Sequence, residues 1–265
     1  PMALFSLEMS DVQLVNRLIV NTCEIKGEKI KSGQLEPHEW MQLDNKITDL
    51  YGKPLYIDDT PSLSVFELRT KARRLVREHG VRIIMIDYLQ LMNASGMNFN
   101  SRQEEVSTIS RSLKGLAKEL DIPIIALSQL NRGVENRTGE GVDGKRPQLS
   151  DLRESGAIEQ DADMVLFIHR PEYYHIYKSE NGEDLRGKAI IIIAKHRNGS
   201  VGDVLLTFKG QYARFENPED SMRIPLPGEN APAPAAPPVS DAPVPPPAPF
   251  SDEPFNPMES NITPF

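Results

Sequence analysis

The stretch Val81-Arg82-Ile83-Ile84-Met85-Ile86-Asp87 decides the fold. It is a nearly unbroken apolar run that ends on a carboxylate, the pattern of a strand buried on both faces of a parallel sheet. Just before it, Ser64 to His79 reads as a helix capped by Ser64, with a basic exposed face, and stopped by Gly80. After it come a second helix, Ser101 to Leu120, and a second apolar strand, Ile122-Pro123-Ile124-Ile125-Ala126-Leu127-Ser128. This alternation predicts a doubly wound α/β sheet.

The pattern extends both ways. Toward the N-terminus, Pro1 to Glu8 reads as a strand, and Asp11 to Thr22 carries Val12, Leu14, Val15, Leu18 and Ile19 at helical spacing behind Ser10, a cap. Cys23, near the end of that helix, reads as core. A helix between Glu36 and Leu50 leads to a short strand, Leu55-Tyr56-Ile57. Toward the C-terminus, a polar, Gly-rich interval from Asn131 to Gln148 precedes a short helix, Ser150 to Gln160, and strands at Met164 to His169 and Ala189 to Lys195. A β-hairpin of Val204 to Phe208 and Tyr212 to Phe215 closes the body.

Composition bounds the function classes. A chain of 265 residues with 39% hydrophobic content sustains a packed core. A single cysteine, Cys23, excludes a disulfide framework and a multi-cysteine zinc site. No apolar run approaches the roughly 18 residues needed to span a bilayer. A soluble, cytoplasmic protein without membrane contact is therefore expected. The first residues lack the features of a signal peptide, and position 1 is not Met, so the chain is expected to begin inside a domain. The net charge of -8 is unevenly spread: residues 216–265 hold 8 acidic residues and 1 Arg, which leaves -1 for residues 1–215. The same segment holds 15 of the 22 prolines. Such a stretch cannot offset its ordering entropy by burial, so 216–265 is expected to be a disordered, Pro-rich acidic tail on a 1–215 body.

In open α/β sheets the ligand binds beyond the carboxyl ends of the strands. Three strands deliver a polar residue there: Glu8, Asp87 and Gln129. An acidic residue capping an apolar strand can hold Mg²⁺, usually through a water, and a second carboxylate can orient an attacking water. Asp87 fits the first role and Glu8 the second, although an Asp at a strand end also caps turns. Further on, Lys195-His196-Arg197-Asn198-Gly199 ends a strand with two cations that alternation puts on one side. They read either as a solvated strand end or as a pair aimed at a phosphate, with His196 structural.

Together, Ser6-Leu7-Glu8-Met9-Ser10, Ile86-Asp87-Tyr88-Leu89-Gln90-Leu91, Ser128-Gln129-Leu130-Asn131-Arg132, the block from Ser150-Asp151-Leu152-Arg153-Glu154-Ser155-Gly156 to Asp163, and Lys195 to Gly199 carry a resemblance. In order and spacing the body resembles the bacterial DnaB-type replicative helicases over nearly all of residues 1–215. The resemblance implies a RecA-like P-loop NTPase sheet in a homohexameric ring, with ATP and Mg²⁺ between neighbours. It implies that Glu8 polarises the attacking water, that Asp87 is the Walker B aspartate holding Mg²⁺ through a water, and that Gln129 senses the γ-phosphate. It implies that Lys195 and Arg197 reach the neighbouring subunit's ATP, where an arginine supplied in trans is worth about 10³ to 10⁵ in rate. It assigns Arg153, Glu154 and Gly156 to a loop that follows single-stranded DNA through the central channel by its phosphates. Primase and a helicase loader are the implied protein partners.

The resemblance also implies a missing part. A P-loop motor needs G-x-x-x-x-G-K-[ST] between a strand and a helix. Gly139 to Lys145 spells G-x-x-x-x-G-K, but Arg146 and Pro147 follow and no apolar strand precedes it, so it reads as a loop. The family's phosphate loop precedes the strand that opens this chain. The sheet is therefore expected to lack its first strand and phosphate loop. Two alternatives remain open: an ATPase-dead piece that only binds DNA or partners, and a related RecA-like DNA-remodelling ATPase, which the Asp-Leu-Arg-Glu-Ser-Gly block disfavours. The acidic end, terminating in Pro264-Phe265, resembles the partner-recruiting tips of bacterial single-strand-binding proteins, though a solubilising tail is the simpler reading.

Overall fold

In the computed structural model, residues 1–94, 96, 99–137 and 144–218 are described, without the side chains of 153–155. The expected tail beyond residue 218, and the Gly139 motif up to residue 143, lie outside the described residues.

The chain opens with β1 (Met2–Ser6) and then a helical segment, α1 (Asp11–Cys23), α2 (Gly27–Ser32) and α3 (Pro37–Ile47). Ser10 caps α1 through a reciprocal box with Gln13, so two N–H groups that the helix leaves unpaired are satisfied locally. The body continues through β2 (Leu55–Asp58), α4 (Val65–His79), β3 (Ile83–Asp87), α5 (Arg102–Leu120) and β4 (Ile124–Ala126). Ser64 and Ser101 cap α4 and α5, and Gly80 takes the left-handed conformation, φ 63°, that ends α4. A short helical turn, α6 (Gly133–Asn136), and then α7 (Gly156–Asp161) precede β5 (Met164–His169), β6 (Lys188–His196), β7 (Gly202–Lys209) and β8 (Arg214–Glu216).

β1 to β4 form a parallel sheet in the order β2-β1-β3-β4, in register from Ser6 opposite Asp87 to Ile86 opposite Ala126. One face is closed by α4 and α5. Ala3, Phe5, Ile84 and Ile86 pack there with Leu68, Ala72, Ile109 and Leu113. Each fully buried aliphatic or aromatic side chain contributes about 1.5–3 kcal/mol, so this layer is the main apolar store of the domain. β5 to β8 form a second sheet, wholly antiparallel, in which β7 and β8 are the expected hairpin.

The expectation of one wound sheet therefore resolves into a parallel half and an antiparallel half. The alternation predicted from the sequence is real through β4; beyond it β5 to β8 each pair with the next strand in sequence as antiparallel neighbours, which need no crossover helix. β4 also starts later than expected, because Pro123 has no N–H to donate and takes part only through its carbonyl, which accepts from Ile84 N at 3.1 Å. Helix α2 was not anticipated. The short helix expected over Ser150 to Gln160 is a 3-10 turn, Leu149–Ser155, running into α7. There the buried Asp151 accepts from Gln148 N at 2.7 Å and from Arg137.

Among the described residues, no helix is long and apolar enough to cross a membrane.

Candidate active site at the carboxyl edge of the parallel sheet

β1, β3 and β4 are adjacent and parallel, so their carboxyl ends, and the residues just past them, emerge on the same edge. Asp87 is the last residue of β3, Glu8 lies two residues past β1, and Gln129 lies three past β4. The edge is held by main-chain bonds across the strand ends: Leu7 N donates to Asp87 O at 2.7 Å, and Leu89 N to Leu127 O at 2.9 Å. The buried Ser6 then shapes the turn that carries Glu8. Its hydroxyl donates to Met9 O at 2.7 Å and accepts from Met9 N at 3.1 Å. Glu8 is left exposed and Asp87 half-buried, and among the described residues no hydrogen bond or ion pair engages either carboxylate. Two acidic groups face the same edge with their charge unspent.

Gln129 is positioned by a residue whose role no local pattern marks. Gln90 donates to Ser128 Oγ at 2.8 Å and to Gln129 O at 3.2 Å, while its own side-chain oxygen accepts from Gln129 N at 3.2 Å. This clamp fixes the backbone of Gln129 and leaves its side chain exposed. Gln90 stood within the Asp87-Tyr88-Leu89-Gln90 motif, but only its contact with a segment 39 positions away reveals what it does. Cavities flank the edge. One of about 500 Å³ opens beside Glu8 among Gln13, Arg17, Lys31 and Gln211; another of about 440 Å³ lies beside Gln129, lined by Asn131, Arg132, Glu135 and Tyr174. Burial pushes the Tyr174 phenol above its ordinary range.

Lys195 and Arg197 belong to the other sheet. They do converge on one place, the C-terminal end of α7: Lys195 Nζ donates to Glu159 O, and Arg197 donates to Gln160 O at 3.3 Å. Arg197 also pairs with Asp163 at 3.3 Å. His196 has a steric role. A Cβ at Gly199 would lie 2.2 Å from its ring, so a larger residue in the turn after β6 would make the imidazole move aside. Gly156 begins α7, directly after the turn that carries Arg153 and Glu154. Lys145, the end of the false phosphate-loop motif, donates to Glu135 O and Arg137 O at 2.7 and 2.6 Å, and so serves a loop.

Among the described residues no three His, Cys, Asp or Glu side chains converge as a metal cage. Mg²⁺ at a nucleotide asks for less: it keeps several waters and takes one or two carboxylates plus phosphate oxygens. The unengaged Asp87 carboxylate fits that requirement.

The model of the DnaB-like helicase C-terminal domain matches residues 1–217. The chain belongs to that family. Its relatives include the replicative DNA helicase DnaB of Geobacillus stearothermophilus, 49% identical over 226 residues, which are 84% of this chain and 48% of the relative. DnaB of Pasteurella multocida is 50% identical over 220 residues, 82% of this chain and 45% of the relative. This member of the DnaB-like family therefore spans about half the length of these relatives. A solved DnaB-like replicative helicase, described together with its interactions with primase, superposes with a TM-score of 0.73 at 41% identity, covering 82% of this chain and 50% of that one. A solved ATPase domain superposes at 0.74, also at 41% identity, covering 82% of this chain and 74% of the other. The α/β architecture is thus that of the DnaB-like ATPase domains.

Proposed function

We propose that this sequence supplies the motor part of a homohexameric replicative DNA helicase, which hydrolyses ATP between neighbouring subunits to move along single-stranded DNA. The observation that carries this reading is the emergence of Glu8, Asp87 and Gln129 on one edge of three adjacent parallel strands. In this reading Glu8 polarises the attacking water and takes its proton. Asp87 holds Mg²⁺ through a water, and the metal supplies charge neutralisation at the phosphates when bound. Gln129, its backbone locked by Gln90, reads the γ-phosphate. Lys195 and Arg197 act in trans on the neighbour's ATP, which is supported by their place at the end of β6 in the second sheet rather than on the sheet that carries Glu8 and Asp87. Arg153, Glu154 and Gly156 form the loop that tracks DNA phosphates, and the bond from Asn131 N to Asp151 O, 3.1 Å, joins the Gln129 segment to the base of that loop.

The phosphate loop belongs, in this proposal, to a segment upstream of Pro1. Two features support it. Among the described residues, β4 and β5 each pair on one side only. Large apolar side chains also stand exposed there: Ile125 and Leu127 on and just past β4, and Met164, Leu166 and Ile168 on β5. Unpaired edges with exposed apolar residues invite a further strand. The body 1–215 is then the motor, 216–265 a tail, primase and a helicase loader the partners, and the bacterial cytoplasm the place of action. The test is Arg197→Ala in the complete ring protein: hexamers persist and turnover falls by about 10³ to 10⁵. Wild-type turnover in that variant removes Arg197 from catalysis.

A further inference from the structure

We infer that Asp163 is a positioning residue for Arg197, presenting its guanidinium to the neighbouring subunit's nucleotide in a fixed orientation. The inference rests on the trans-acting role proposed for Arg197.

Asp163 immediately precedes β5, and the register that sets Met164 opposite His196 brings Asp163 opposite Arg197. Arg197 N donates to Asp163 O at 2.8 Å, which fixes the backbone of the arginine. Its guanidinium is then held at two further points: NH1 lies 3.3 Å from Asp163 Oδ1, and NH2 donates to Gln160 O at 3.3 Å. The carboxylate is itself held from a third element. Lys114 of α5 binds Asp163 Oδ2, so Oδ1 keeps its direction whether or not Arg197 rests on it. The Lys114 hydrogen bond first, with the Lys114, Arg197 and Lys195 charges beside it, keeps the Asp163 carboxyl below its ordinary range, so it is ionised throughout neutral pH.

An isolated ion pair between exposed side chains is worth about 0–1 kcal/mol, too little to matter for stability. Orientation is a different matter. A free arginine side chain samples many rotamers, and each misplacement of about 1 Å at a reacting phosphate can cost up to about 10² in rate. Three contacts to one arginine, from groups that α5 and α7 hold still, reduce that search before the neighbour's nucleotide arrives. With NH1 on Asp163 and NH2 on Gln160, the remaining N–H donors of the planar guanidinium stay available for phosphate oxygens, so the orientation is kept as the nucleotide is met.

The test is Asp163→Asn in the complete ring protein, with Arg197→Ala alongside. The Asn variant keeps the backbone acceptor and removes only the charge. The expected result is a hexameric ring with ATP KM within about twofold of wild type and kcat lowered about tenfold, while Asp163→Glu recovers part of the loss. Lys114→Met, which leaves Asp163 charged but unheld, lowers kcat about threefold at unchanged KM. Wild-type kcat for Asp163→Asn beside an inactive Arg197→Ala overturns the positioning role alone. So does a raised KM at wild-type kcat, which would mean a contribution to binding only. Wild-type turnover of Arg197→Ala overturns the underlying reading instead. Should Asp163→Asn fail to assemble, Lys114→Met decides: unchanged kcat overturns the inference, and a lowered kcat at unchanged KM supports it.

Discussion

At the edge of the parallel sheet, Glu8 and Asp87 carry carboxylates that no neighbouring group among the described residues engages, whereas at the end of β6 in the antiparallel sheet Lys195 and Arg197 both rest on the carbonyls that end α7. The packing of the two sheets differs in the same sense. The parallel sheet buries one face fully, with Ile84 and Ile86 at 0% exposure, while alternate residues of β5 stand open, Leu166 at 51% and Ile168 at 58%. A stable layer thus carries acidic groups in a state of readiness, and a more open layer carries basic groups that are already held. The physical sense is that water solvates an exposed carboxylate at little cost until a cation arrives. A flexible cationic side chain instead loses orientation unless acceptors hold it, and a helix C-terminus, with its unpaired carbonyls, supplies them.

The sharpest way to break this comparison is to remove a member of each set. Arg197→Ala carries the largest expected effect, the loss of about 10³ to 10⁵ in turnover, read as ATP hydrolysis by the complete ring. Glu8→Gln comes next: it keeps the size of the side chain and removes the base, so turnover falls by about 10² to 10⁴ while nucleotide still binds. A Glu8→Gln protein that turns over normally would reduce the acidic edge to a strand end.

The packing half of the comparison is tested by stability. Ile84→Ala, in the closed layer, is expected to cost about 2–5 kcal/mol in urea unfolding. A smaller effect comes from Asp58, at the end of β2, whose carboxylate pairs with Lys71 at 2.8 Å. Burial by itself would raise the Asp58 carboxyl, but the Lys71 and Thr60 hydrogen bonds outweigh it and leave it below the ordinary range. A lowered carboxyl stabilises above its unfolded value of about 3.9 and loses that contribution as pH falls through the lower folded value. Asp58→Asn is therefore expected to cost about 1 kcal/mol at pH 7, and the gap from wild type should close as the unfolding is repeated toward acid pH. The smallest effect belongs to the open layer: Leu166→Ser in this polypeptide should change stability by less than about 0.5 kcal/mol. A loss as large as that of Ile84→Ala would mean that the two layers are packed alike.

Much of the fold and of the acidic edge was legible in the sequence, and the reason lies in range. Ser10, Ser64 and Ser101 act within three residues of the helices they cap, and Gly80 stops α4 through its own backbone angle. The polar ends of β1, β3 and β4 were readable because an apolar run followed by one charged or amide residue marks a strand leaving a sheet. Gln90 and Lys114 were not readable. Each acts on a residue 39 or 49 positions away, and a Gln or Lys carries no local mark of such a partner. The separation into two sheets escaped as well, since an apolar strand looks the same whichever direction its neighbour runs.

The sequence by itself determined most of the strands and helices, the caps and stops of α1, α4 and α5, and which polar residues end the strands, because these depend on hydrogen bonds and side-chain periodicity over a few residues. Only the tertiary structure decided that Ser6 lies against Asp87, that Gln90 grips Ser128 and Gln129, and that Asp163, held by Lys114, faces Arg197. Those pairings depend on chain segments tens of residues apart meeting at one register, and register is set by the packing of the whole layer.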